Sequence, residues 1–326
     1  MRFRTEVDIP SQQVRINYST PVMFIGSCFA GEMAALMKEG LMPVLSNPSG
    51  VIYNPFSVSA TLRNMISGKL FTRDDLYFHN GRWLSFAHYT MFSSDSIDRC
   101  LEMINMANSE ASIFLRKASF LFVTFGTARI YRRKDTGDIV SNCHKIPSSF
   151  FEREMPGPHA IAEDWSRLLG ELRDYNPSLS VIFTVSPVRH WKDGAHGNQV
   201  SKSVLFVAIE ELLKHPSSPS YFPSYEIVLD DLRDYRFYAD DLLHPSAAAV
   251  NYIWEKLCKA YLDKPATGLW QEISDVTRAT GHKPAGITVG ETTRFALGML
   301  ERIATMESRN PGIDFSGLRE HFEGLT

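Results

Sequence analysis

The sequence predicts an α/β protein: a flavodoxin-like, doubly wound parallel sheet in three layers, α/β/α. Two observations carry this. Short apolar runs at 22–25 (VMFI), 120–125 (FLFVTF), 180–185 (SVIFTV) and 226–229 (EIVL) are near-continuous rather than alternating. Strands covered by helices on both faces look like that. Between them lie segments of helical periodicity, which is the pattern of parallel strands joined by crossover helices.

Taken in order, residues 1–19 form a polar N-terminal segment, "MRFRTEVDIPSQQ" and onward, without the apolar stretch of a signal peptide. A domain of 20–262 follows. Helices are expected over 29–39, 56–67, 97–117, 159–174, 200–214 and 246–262, with a weaker strand at 43–45. In the last of these helices Val250, Ile253, Trp254, Leu257 and Tyr261 recur at helical spacing and read as core. Residues 68–94 carry "HNG" between β-rich runs and read as an inserted hairpin. Residues 186–199 read as a long loop directly after a strand, on the edge where doubly wound sheets bind ligands. Residues 263–326 form a mostly helical C-terminal extension, with a helix near 290–308.

Composition narrows the function classes. The chain has 326 residues, 44% hydrophobic, and a net charge of −3. Lys and Arg are dispersed, so nucleic acid is not an expected partner. No run approaches the ~18 apolar residues of a membrane span. Cys28, Cys100, Cys143 and Cys258 are scattered beyond any metal-ligand spacing. Four free thiols suit a reducing, cytoplasmic setting. Neither a metal nor an organic cofactor is expected.

Two stretches carry chemistry. In "DDLLHPS" (240–246), Asp241 and His244 can share one side of a turn. The carboxylate then accepts the imidazole Nδ1–H and leaves Nε2 as a base. The same turn could instead only cap the following helix. In "VMFIGSCFAGEM" (22–33), Ser27 ends the first strand where a helix begins. There it is either a plain cap or a nucleophile, with its backbone N–H available to an oxyanion. In a parallel sheet both stretches lie on the carboxyl edge, so serine and histidine can meet.

The order Gly-Ser early and Asp-x-x-His late resembles the SGNH (GDSL-like) hydrolases. Residues 26–30 spell GSCFA, and with "YNPFS" (53–57), "TFGTA" (124–128), "NCHK" (142–145), "SPVRH" (186–190) and "LRDYRFYADDLLHPS" (232–246) the chain is identified as a member of the GSCFA-domain family within that superfamily. The resemblance covers roughly residues 20 to 260. It implies Ser27 as nucleophile, His244 as base and Asp241 as the acid that orients it. The superfamily usually reads Gly-Asp-Ser at the nucleophile, whereas Gly26 directly precedes Ser27. Its Gly-x-Asn triplet is replaced by Gly126-Thr127-Ala128, so the asparagine donor of the oxyanion hole is missing.

Substitute donors are the backbone near Gly50, the side chain of Asn54, Thr127 through hydroxyl or N–H, and Asn142 from the following loop. Each has a plainer reading as a turn or cap residue. His144, His190 and Arg189 are further candidates, the last for an anionic or hydroxylated substrate group. Cys28 is not expected to act, because adjacent side chains diverge. The expected function is ester hydrolysis through an acyl-serine, on a small-molecule or carbohydrate ester, with an acylated sugar or glycan implied by superfamily analogy alone. The alternative is a non-catalytic binding protein on the same fold. A phosphate-binding flavodoxin-like protein is a third reading, without a glycine-rich loop to support it.

Overall fold

Alternate residues of the first strand, β1 (Val22–Gly26), face opposite sides, and both sides are covered. Val22 and Phe24 pack in one cluster with α1 (Cys28–Glu39). Met23 and Ile25 pack in a second cluster on the other face. That explains an apolar run without alternation. The computed structural model describes residues 5–10, 13–281 and 289–326.

In chain order β2 (Val44–Ser46) and α2 (Pro55–Ile66) follow, then β3 (Tyr77–His79), β4 (Arg82–Leu84) and α3 (Ile97–Lys117). Next come β5 (Phe120–Phe125), β6 (Ile130–Arg133), β7 (Ile139–Val140), β8 (Phe151–Glu154) and α4 (Pro158–Tyr175). The domain continues through β9 (Ser180–Val185), α5 (Gly194–Leu212), β10 (Ser220–Tyr221) and α6 (Ala247–Tyr261). It is followed by α7 (Lys264–Thr280), α8 (Val289–Arg309) and α9 (Ser316–Glu323).

The central sheet has the order β10-β9-β5-β1-β2, and every pairing is parallel. Relabelled by appearance in the sheet, that is the 2-1-3-4-5 order of a flavodoxin-like fold, with its switch point between β1 and β5. Helices α1 and α6 pack on one face and α2, α4 and α5 on the other, giving three layers. Among the described residues no helix is long and apolar enough to cross a membrane, and no group of three or more His, Cys, Asp or Glu is placed to hold a metal. All four cysteines are free thiols.

Two expected elements differ. Residues 226–229 are not a strand. Ser224–Glu226 is a helical turn that runs into a π-helical turn, Ile227–Asp231. The fifth strand place is already taken by Ser220–Tyr221, paired with Ile182 and Phe183 of β9. The apolar Ile227 and Val228 pack instead under α6. The loop after β9 is also shorter than expected, because α5 begins at Gly194.

The hairpin β3–β4 is antiparallel. A second antiparallel sheet, β7-β6-β8, was not anticipated. Its signal was the turn-rich "KDTGD" between β-prone flanks, "RIYRR" and "DIV". Of these two additions, the second sheet walls the cleft described below, through Tyr131, Val140 and Arg153.

The C-terminal helices are joined to the sheet domain by a tight contact. A Cβ added at Gly40 would lie 2.0 Å from Trp270 Cδ1, and Trp270 Nε1 donates to Leu36 O at 2.7 Å. Trp270 is also buried against Trp254 of α6. Gly40→Ala must push α7 away from α1. We expect a loss of roughly 1–3 kcal/mol by overpacking, read by denaturant unfolding; an unchanged midpoint would mean that α7 moves freely on α1.

Candidate active site

The turn after β1 is built by Gly26. Its φ is +127°, and a Cβ there would lie 2.1 Å from Thr124 O. Only glycine accepts that backbone at that distance. The turn is held by Asn47 Oδ1, which accepts Gly26 N–H at 2.8 Å. Ser27 follows in extended conformation at the N-cap position, and α1 begins at Cys28.

This turn encloses Ser27, which was expected to be exposed as the nucleophile. The residue is 1% exposed, and its Oγ is enclosed without a hydrogen-bond partner among the described residues. It neither caps α1 nor bonds to His244. Its backbone N–H, expected to face an oxyanion, donates to Thr124 O at 3.1 Å. The physical reason is that Gly26 folds the chain back onto β5, so residue 27 completes the sheet ladder and residue 28 is the first to emerge.

Cys28 is half-buried and lines both cavities that meet at this edge. His244 lines both as well. Burial pushes the Cys28 thiol up. The backbone N–H groups of Phe29 and Cys28 and the Lys202 ammonium act the other way, and the Glu32 carboxylate adds to the rise. As for any helix start, the N–H groups of Cys28 and Phe29 have no partner within α1.

The histidine is held by a local turn. Asp241 Oδ2 accepts from His244 Nδ1 at 2.6 Å, and Oδ1 accepts the N–H groups of Leu243 and His244, each at 2.9 Å. Leu242 adopts φ +58° to close this turn. The backbone donors of His244 and Leu243, then the His244 side chain, hold the Asp241 carboxyl down at about 2. The cap of α6 is Ser246, whose Oγ accepts from Ala249 N. Asp241 is therefore not a helix cap. Its carboxylate is committed to His244, leaving Nε2 as the free ring nitrogen.

The proposed oxyanion donors are mostly engaged elsewhere. Gly50 N–H donates to Asn47 O at 2.7 Å, and Gly50 itself turns at φ +83° against Tyr89. Gly126 N–H and Thr127 N–H both donate to Tyr53 O, at 2.8 and 3.0 Å. The Thr127 hydroxyl pairs with Ser201 Oγ at 2.9 Å and accepts from Arg129 N. Asn54 is the N-cap of α2, accepting from Ser57 N and donating to Ser57 Oγ. Asn54 and Thr127 still line the polar cavity, but as parts of its frame.

Asn142 lines the same cavity, with Oδ1 accepting from His144 N at 2.8 Å. His144 does not line it. Its φ is +50°, Nε2 is 2.9 Å from Ser85 O and Nδ1 is 3.4 Å from Thr90 Oγ1, so it ties the hairpin down. Arg189 lines the cavity with its guanidinium over the Trp191 ring at 4.9 Å. His190 packs edge-on to Tyr53, and its Nε2 is buried without a hydrogen-bond partner among the described residues. Burial, then the charge of Lys202, pushes His190 down to about 4, so it is neutral at neutral pH.

Several site residues escaped the sequence reading. Lys202 is fully buried on α5, and its Nζ donates to Gly126 O at 2.7 Å and Ser186 O at 2.6 Å. It thus ties together the ends of β5 and β9, and burial lowers its own pKa to about 7. The signal was readable, since Lys202 falls in register with Leu205, Ile209 and Leu212 on the buried stripe of its helix. Arg129 and Arg153 both pair with Asp193, Arg153 Nη2 at 2.6 Å from Oδ2. Nothing in their sequence neighbourhoods shows that pairing.

A doubly wound parallel sheet with a histidine–carboxylate dyad beside the turn at its switch point defines the class. Within it, the chain belongs to the GSCFA family, whose model matches residues 21–257. Among solved structures it is similar to a carbohydrate esterase family 3 protein from Talaromyces cellulolyticus, at 10% identity over 78% of this chain and 99% of that one, with a TM-score of 0.37. It is also similar to an acetyl xylan esterase from the rumen bacterium Butyrivibrio proteoclasticus, at 13% identity over 76% of this chain and 64% of that one, with a TM-score of 0.38. No curated protein matches it.

Proposed function

We propose that the protein is an acyl hydrolase whose nucleophile is Cys28, with His244 as base and Asp241 as the residue that orients it. One observation carries this reading: Cys28 and His244 open onto the same two cavities, while the Ser27 hydroxyl opens onto neither. The superfamily's Gly-Asp-Ser pattern agrees once Gly26 is set on its glycine, because the nucleophile's place then falls on Cys28.

In the first half-reaction the Cys28 sulfur bonds to the acyl carbon and the carbon–oxygen bond to the alcohol breaks. The thiol proton passes through His244 Nε2 to the departing alkoxide. Water then bonds to the acyl carbon as its proton passes through His244 to the sulfur, the carbon–sulfur bond breaks, and the carboxylic acid leaves. The N–H groups of Cys28 and Phe29, at the start of α1, are the available donors for the tetrahedral oxyanion. Neutral thiol in the resting site, raised by burial, requires His244 to take the proton as attack begins.

A second reading, a binding protein without turnover, draws on the engagement of the N–H groups of Ser27, Gly50, Gly126 and Thr127. Incubation with p-nitrophenyl acetate followed by rapid acid quench and peptide mass spectrometry separates the two. The hydrolase reading expects a hydroxylamine-labile acetyl group on Cys28 and release of p-nitrophenol beyond one equivalent. Acetyl on Ser27 would restore the serine as nucleophile. No acyl group and no turnover would leave the binding reading.

A further inference from the structure

Resting on the hydrolase reading, we propose that the substrate is an ester of an aliphatic acid of medium to long chain, with the acyl chain lying in the apolar groove along α1. The groove has a volume of about 750 Å³. It starts at Cys28 and His244 and is lined in turn by Glu32, Ala35, Leu36 and Glu39 of α1. Those positions fall three to four residues apart, which is one face of the helix. From Cys28 to Glu39 the face runs for about 16 Å at 1.5 Å per residue. The opposite wall is Val188, Pro245 and Val250 near the dyad and Leu318 of α9 at the far end.

Length, shape and position together identify the occupant. A slot of this size that opens from the nucleophile and continues past Phe29, Ala35 and Leu36 of α1 towards Leu41 and Leu318 fits a chain, not a compact acetyl group. Its charged rim carries Glu32 and Asp314 against Lys38, with Glu39 paired to Arg278 of α7. A carboxylated or phosphorylated group is therefore disfavoured there. The second cavity, of about 550 Å³, carries the opposite character, with Arg129, Lys145, Arg153, Arg189 and Lys192 against Asp193. It takes the alcohol side of the ester. The two cavities share Cys28 and His244, so the bond between the two halves of the substrate lies at the nucleophile. The groove also gives the C-terminal helices a function, since Gly317 and Leu318 of α9 line it together with Glu39 at the end of α1 away from the dyad.

Two variants narrow the groove without touching the dyad. Ala35 is exposed on α1, and Ala35→Trp places an indole in the slot. Gly317 of α9 has open space around a Cβ, so Gly317→Leu adds a side chain from the facing wall. Two readouts are taken on wild type and both variants. The first is kcat/KM for p-nitrophenyl acetate, butyrate and octanoate. The second is the rate of Cys28 alkylation by N-methyl- and N-octyl-iodoacetamide, which needs no ester turnover.

Each buried methylene is worth about fourfold, so wild type is expected to prefer octanoate over acetate by about a hundredfold or more, and to react faster with the octyl reagent. In Ala35→Trp and Gly317→Leu the octyl preference is expected to fall at least tenfold in both readouts. Ester turnover without a chain-length preference would overturn the groove and leave the hydrolase reading standing. An octyl preference in alkylation that the variants erase, with no ester turned over, would overturn the hydrolase reading and keep the groove. An octyl preference that neither variant alters would place the chain elsewhere and overturn the proposal.

Discussion

Cys28→Ala is expected to lower ester turnover by about a thousandfold or more, to the residual rate that binding and oxyanion donors supply, because the group that forms the covalent bond is gone. Ser27→Ala is expected to stay within about tenfold of wild type. The Ser27 hydroxyl is enclosed and without a partner among the described residues, so its removal leaves no donor or acceptor orphaned. It is also expected to hold or raise the melting temperature. The two variants separate neighbouring residues that sequence alone assigned in the opposite sense. A Ser27→Ala enzyme that is inactive while Cys28→Ala still turns over would return the role to the serine. A third variant, Cys28→Ser, is expected to fall far below wild type, since a hydroxyl lacks the acidity and nucleophilicity of a thiol.

Asp241→Asn is expected to lower turnover by about 10²–10⁴, with little change in melting temperature. The amide keeps a carbonyl oxygen able to accept the N–H groups of Leu243 and His244, so the turn survives. Its NH₂, however, now faces His244 Nδ1, and the ring is held with its proton on the wrong nitrogen. Asp240→Asn is the internal control, because Asp240 is exposed and takes no part in these bonds. Turnover and thermal melting measured side by side for the two variants settle the point. Equal turnover would show that Asp241 only shapes the turn.

Both predictions depend on features of very different legibility. The pairing of Asp241 with His244 was readable in "DDLLHPS" because it is local: a short turn places two side chains three residues apart on one side, whatever the rest of the fold does. The helix at 97–117 and the strands at 120–125 and 180–185 were readable for the same kind of reason, since periodicity is a property of the segment itself. Residues 226–229 misled because apolar, β-branched runs suit a buried helical turn as well as a strand. Only the pairing of Ser220–Tyr221 with β9 shows which one the sheet admits.

The amino-acid sequence by itself determined the layered parallel fold, the sheet edge at which the Gly26 turn and His244 meet, and the pairing of that histidine with its carboxylate. Tertiary structure alone decided which residue beside Gly26 reaches the cleft and which N–H groups remain free. Those answers depend on atoms far away in the chain. Thr124 O draws back the Ser27 N–H, Tyr53 O occupies the donors of Gly126 and Thr127, and Lys202 of α5 clamps the ends of two strands. A hydrogen-bond donor is available or spent according to what stands within about 3 Å of it, and the distance between residues along the chain carries no information about that.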